Sequence, residues 1–338
     1  MPDPSTRPPA RTFTRRPDGP QYVDVPPRRQ RQVWVDEVYD PPPGVDYTRV
    51  LSGPGHSAGI VVGGVVAAVL AFMMVAPGVV QTVVLGLGYL LRGRPDGSYE
   101  AYGTNALGFQ YPEGMVAAHL MLAAMVPVAL LLVRFLHRRR PVWLTSVQPG
   151  MRWRYLVLVA VVAAVVLNGV YWFSGGAKDF VYDPQPGWIT WVVLVVLTAP
   201  LQAAGEEYLF RGYLTQVFGS FIKIRWVAVV LSALLFAAAH GTGQNLPMFA
   251  SRFGFGLLMG VIVVVTGGLE AAIAAHAVNN VSTFLYAAAS QGGVASAMAV
   301  KEVNWSQAAW NLAAYALVGV IAWTVGLALR AAKTTPAT

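Results

Sequence analysis

Apolar residues in this chain gather into long runs, without the strict alternation of a half-buried strand. The runs lie near 114–136, 155–174, 188–210, 226–240, 247–265, 268–289 and 307–330. Most reach the ~20 residues that carry a helix across roughly 30 Å of hydrocarbon. One more run, Ser57 to Leu91, is interrupted by Pro77-Gly78. As a single helix it would be about 52 Å long at ~1.5 Å per residue, too long for one straight crossing. It is expected to hold either one span followed by an interfacial helix or two crossings. The pattern predicts an all-α fold: a polytopic transmembrane helical bundle of about eight spans.

The first 56 residues break this pattern. They are polar, with Pro26-Pro27 and Pro41-Pro42-Pro43 and the basic pairs Arg15-Arg16 and Arg28-Arg29. Such a stretch buries too little apolar surface to offset its ordering entropy, so residues 1–56 are expected to form a disordered cytoplasmic tail. The transmembrane domain is expected over 57–333.

Composition agrees with a membrane protein, since 55% of residues are hydrophobic and only 12% charged. A soluble domain carries about twice that charged share. The net charge of +8 lies mostly outside the runs. Basic clusters fall at Arg138-Arg139-Arg140 to Arg154, at Lys223–Arg225 and at Arg330–Lys333, while 175–187 sets Asp179 and Asp183 against Lys178. Basic flanks mark the cytoplasmic side, so eight crossings with both termini cytoplasmic satisfy the pattern. The same distribution assigns the positive charge to orientation and to the anionic headgroups of the bilayer; no nucleic-acid partner is expected. Cysteine is absent, which removes disulfides, thiolate nucleophiles, Cys-ligated metals and lipidation sites.

Ionisable side chains inside a span are costly and are functional candidates by default. This chain has few. Glu206 and Glu207 lie in Gly205-Glu206-Glu207-Tyr208-Leu209-Phe210-Arg211, His240 ends an apolar run, and His276 precedes Asn279-Asn280. His119 and Arg252 are the other conspicuous cases; His119 reads as a satisfied bundle histidine and Arg252 as a cavity-lining or snorkelling arginine. Glu207 and Arg211 are i,i+4 and can pair on one helix face. Phe236 shares a face with His240, and His276 with Asn280. Glu206 is expected about 100° around the helix from the Glu207–Arg211 pair, free for chemistry. Counted from the Lys223–Arg225 turn, Glu206 and His240 arrive at similar depth, roughly 22–26 Å away along their helices.

Glu, His, His and Asn in a desolvated cavity suit amide hydrolysis. Water between Glu206 and His240 can lose a proton to the carboxylate. His276 and Asn280 can donate to the developing oxyanion. Alternatively, Glu206, His240 and His276 are the residue types that hold Zn²⁺ in some hydrolases, although His-Glu-x-x-His is absent.

In this order and on successive spans, Glu206-Glu207-x-x-x-Arg211, Phe236-x-x-x-His240 and His276-x-x-x-Asn280 resemble the CPBP family. That family includes CAAX prenyl endopeptidases of the Rce1 type and bacterial bacteriocin-processing and self-immunity (Abi) proteins. The resemblance covers about 185–290. It implies an intramembrane endopeptidase that cuts a membrane-associated or lipidated peptide or protein. Glu206 and His240 would activate water, His276 and Asn280 would form the oxyanion site, and Glu207, Arg211 and Phe236 would support them. Both a metal-free glutamate mechanism and a Zn²⁺ enzyme are compatible with it, so the cofactor is either none or Zn²⁺. The preference for Arg over Lys and the Ala/Val bias point to a bacterial cytoplasmic membrane. A non-catalytic scaffold or immunity-like protein binding a peptide through the same cavity is the alternative. A transporter is disfavoured, because no duplicated pattern of broken helices appears in the two halves.

Overall fold

The computed structural model describes residues 38–337, except Asp96, Ala177, Asp179 and Thr242. Nine helices carry the architecture: α1 Ala58–Leu91, α2 Tyr99–Leu107, α3 Pro112–Leu136, α4 Trp153–Gly175, α5 Trp188–Ile222, α6 Arg225–Ala239, α7 Leu246–Thr266, α8 Glu270–Ala289 and α9 Trp305–Ala328. Six of them, α1, α3, α4, α5, α7 and α9, are long and apolar enough to cross a membrane. The 15-residue α6 and the 20-residue α8, which carries His276, Asn279 and Asn280, complete the bundle. The all-α transmembrane reading holds.

Residues 58–91 neither reverse nor break. They form one 34-residue helix that runs through Pro77. The backbone widens to π-type turns over Ala71–Val75 and Pro77–Gln81, a local adjustment that absorbs the amide a proline lacks. The expected span 188–210 is likewise too short, since α5 continues to Ile222. Its charged centre does not end the helix because Glu207 and Arg211 are buried together.

Part of the expected tail is also ordered. Residues 1–37 lie outside the described residues, but 39–56 packs onto the bundle. Asp46 caps the turn Tyr47–Arg49 by accepting from the Thr48 amide. Tyr47 is fully buried and donates to the Leu144 carbonyl at 2.5 Å. Buried Arg139 donates to the Ser52 carbonyl at 2.6 Å. The proline-rich composition of this segment hid three anchors, Tyr47, Val50 and Leu51, all buried.

α8 packs along α5, and also against α4. Close approach of α5 to α3 depends on Gly205, where a Cβ would collide with the Leu122 carbonyl. Gly205→Ala is therefore expected to lower stability by about 1–3 kcal/mol. Thermal unfolding of the purified protein in detergent checks this, with Gly78→Ala as the control, because a Cβ there meets nothing within 4 Å.

Candidate active site

Three elements bring the candidate residues together. α5 supplies Glu206, Glu207 and Arg211; α6 supplies Phe236 and, at its C-terminal cap, His240; α8 supplies His276 and Asn280. α5 and α6 are joined by a tight turn in which Lys223 adopts φ +66°. Both helices run unbroken from that turn, which is what the matched depths of Glu206 and His240 require.

α5 and α8 run antiparallel in a fixed register. Asn280 Nδ2 donates to Gln202 Oε1 at 2.6 Å, and one turn further His276 Nε2 lies 3.3 Å from Glu206 Oε2. Four residues separate the partners on each helix, so the two rungs stack one helical turn apart. His276 Nδ1 sits 2.7 Å from Glu207 Oε1. The imidazole is thus held between two carboxylates.

This differs from the expectation that Glu206 points away from the Glu207–Arg211 pair. The reason is local. From Glu207 to Leu214 the helix widens to π-type turns, which changes the angle between successive side chains and lets both carboxylates reach one imidazole. The displaced carbonyl of Phe210 is satisfied by hydroxyls: Thr215 Oγ1 donates to it at 3.0 Å and Ser232 Oγ at 2.5 Å. Neither hydroxyl was singled out in the sequence.

Arg211 pairs with Glu207 as anticipated, with Nη1 3.1 Å from Oε1, although the angle is not that of an aligned hydrogen bond. Its guanidinium carbon instead lies over aromatic rings, 3.9 Å from the Phe236 ring centre and 5.0 Å from that of Phe255. Phe236 in turn meets His240 edge-on at 4.6 Å. His240 Nδ1 is 2.8 Å from the Phe236 carbonyl. A carbonyl only accepts, so Nδ1 carries the proton and a neutral His240 presents the Nε2 lone pair elsewhere. By the same logic Glu207 fixes the proton of His276 on Nδ1. Glu206 also lies within electrostatic range of His240 and Arg252.

A cavity of about 590 Å³ opens beside these groups. Phe236, His240, Arg252, His276 and Asn280 line it, whereas Glu206, itself 7% exposed, is not among its lining residues and meets that wall through His276 Nε2 at 3.3 Å. His119 stands apart: its Nδ1 is 2.7 Å from Thr198 Oγ1 and its ring packs edge-on to Phe284 at 4.9 Å.

Sequence reasoning missed Gln202, Phe255 and Tyr315, the last a cavity-lining ring that meets Phe255 edge-on at 4.6 Å. Gln202 is buried one turn before Glu206, and a lone amide inside an apolar span was the available signal. Glu270 was also passed over; it is fully buried and held by Arg152 at 2.8 Å and 2.5 Å, beside the α7–α8 turn. Among the described residues no three His, Cys, Asp or Glu side chains converge as a metal site requires. Glu206, His240 and His276 as arranged do not fit zinc, and no step below uses a metal.

A stretch of 100 residues is 36% identical to an uncharacterized 24.3 kDa protein of Escherichia coli, covering 29% of this chain and 45% of that protein. The chain therefore matches less than half the length of that relative. Over 225 residues it is 24% identical to the uncharacterized protein YyaK of Bacillus subtilis (strain 168), covering 61% of this chain and 74% of YyaK. No solved structure matches. The family model described as type II CAAX prenyl endopeptidase Rce1-like matches residues 186–282, which hold the whole of α5, α6 and α7 and the part of α8 with His276 and Asn280. Residues 186–282 of this helical membrane protein are thus similar to type II CAAX prenyl endopeptidases of the Rce1-like family.

Proposed function

We propose that the chain is an intramembrane endopeptidase that hydrolyses a peptide bond of a membrane-associated or lipidated substrate by carboxylate-activated water. The observation that carries this reading is the His276 imidazole clamped between Glu206 and Glu207 at the wall of a cavity that His240 and Asn280 share. In a dry bundle, two buried carboxylates need two positive charges. Arg211 supplies one. A proton on His276 Nε2 supplies the other and leaves Glu206 as the carboxylate.

Water bound between Glu206 and the His240 Nε2 lone pair is then deprotonated by Glu206 as its oxygen attacks the scissile carbonyl carbon. As Glu206 takes up that proton it releases His276 Nε2–H, and the oxyanion accepts from this group and from the second Asn280 Nδ2–H, the first being committed to Gln202. The proton on Glu206 passes to the amide nitrogen as the C–N bond breaks, giving a carboxylic acid and an amine, and the remaining acid proton then moves to the amine to leave a carboxylate and an ammonium. Arg252, half-buried in the cavity wall, presents positive charge to the substrate. In this reading both termini face the cytoplasm of a bacterial cell, and the basic clusters described above support that orientation.

Purified protein in liposomes, incubated with a mixture of membrane-anchored peptides, is expected to generate new peptide termini readable by mass spectrometry. His240→Ala should reduce their rate of appearance by about 10²–10⁴, the usual range for a lost acid–base group. A His240→Ala protein that is folded and as fast as wild type refutes the assignment. Gln202→Leu should act differently, because Gln202 only orients Asn280. It is expected to lower kcat by roughly tenfold while leaving KM within about twofold, the pattern of a donor used in the transition state.

A further inference from the structure

A second cavity, of about 580 Å³, lies between α7, α9 and the start of α6 and shares no residue with the candidate active site. Its walls are apolar: Leu258, Val261 and Val265 from α7, and Ala316, Gly319 and Val320 from α9. Its mouth is not. Arg225 and Lys333 line that end together with Trp226 and Trp323. α6 begins there, and α7 and α9 end near it, so this is where the chain leaves the apolar layer.

Both cations are exposed, and neither takes part in an ion pair among the described residues. Arg225 instead lies over the Trp226 ring, 4.8 Å from its centre. The one acidic residue at the mouth, Asp46, is already committed: its Oδ1 accepts from the Thr48 amide at 2.9 Å and from Thr48 Oγ1 at 2.7 Å. The mouth therefore carries net positive charge, while Val261, Val320 and Trp323 expose apolar surface along the groove.

We infer that this groove binds a membrane phospholipid with an anionic headgroup. One acyl chain lies along α7 and α9, and the phosphate sits between Arg225 and Lys333. Juxtamembrane basic residues attract anionic lipid, and tryptophans at the headgroup level suit such a boundary. Charge complementarity selects this occupant over the Arg-rich residues 1–37, which carry seven Arg and five acidic residues. The inference is independent of the peptidase reading.

The full chain, delipidated in detergent, is to be titrated with dioleoyl-phosphatidylglycerol and with dioleoyl-phosphatidylcholine while bound lipid is counted by native mass spectrometry. The first phosphatidylglycerol is expected to bind on the order of tenfold more tightly than phosphatidylcholine. Arg225→Gln/Lys333→Gln should abolish that preference, Arg225→Lys/Lys333→Arg should keep it, and Ala316→Trp should weaken both lipids by filling the groove. Equal binding of the two lipids to wild type, or a preference that survives the double Gln variant, overturns the inference. So does displacement of phosphatidylglycerol by an equal concentration of inorganic phosphate, or a dimer that excludes lipid.

Discussion

Glu206→Gln is expected to slow peptide cleavage by about 10²–10⁴, as large an effect on activity as any single change in this protein. The substitution keeps the size of the side chain and its ability to accept from His276 Nε2, but an amide takes no proton from water. Because Glu206 contributes no ion pair among the described residues besides its contact with His276, the fold should tolerate the change. Thermal midpoints of wild type and variant are expected to agree within a few degrees. Loss of activity at constant stability separates a chemical role from packing. His276→Ala should cost activity as well, but it also strips Glu207 of its partner at 2.7 Å, so its loss of stability confounds the reading. Glu206→Gln does not share that defect.

The largest effect on stability is expected at Arg211. Arg211 is 1% exposed and Glu207 fully buried. Taking one member from such a pair leaves an uncompensated charge in a dry interior, at a cost of about 3–5 kcal/mol. Arg211→Ala also removes the guanidinium from between the Phe236 and Phe255 rings, where its cation–π contact and its bulk both contribute. Unfolding of Arg211→Ala in detergent should occur far below the wild-type midpoint. Glu207→Gln/Arg211→Met should recover much of that loss, since a neutral amide still accepts from His276 Nδ1–H and methionine refills the aromatic cleft. If the double variant is as unstable as Arg211→Ala, the cost comes from packing around the rings and the charge argument is wrong.

The fold was legible where burial is simple. Runs of apolar residues located seven of the helices to within two residues at most ends, because a span must hide its backbone amides whatever its neighbours are. The exceptions share one cause. The sequence reading ended the third of those spans at residue 210 and split 57–91 because Arg211 and Pro77 look like terminators, whereas π-type widening and local partners absorb both. The tail boundary failed for a similar reason: Tyr47, Val50 and Leu51 are too few to alter composition but enough to anchor a turn.

Within the candidate site, the types of residue, their order and the Glu207–Arg211 pair were visible, but not the pairing of His276 with both carboxylates. An α-helical wheel placed Glu206 apart from Glu207, whereas the widened turn brings both to His276. Gln202 stayed hidden because its meaning depends on Asn280, 78 residues away. Spacing along one helix cannot report a register between two.

The account stands on hydrolysis that needs the Glu206 carboxylate, and membranes of a host bacterium test it most directly. Membranes from cells producing wild-type protein and from cells producing equal amounts of Glu206→Gln are to be compared by quantitative mass spectrometry of peptide termini. A defined set of new N- and C-termini, present with wild type and depleted by about 10²-fold or more with the variant, is the predicted result. Identical termini in the two membranes, at equal protein levels, would contradict it.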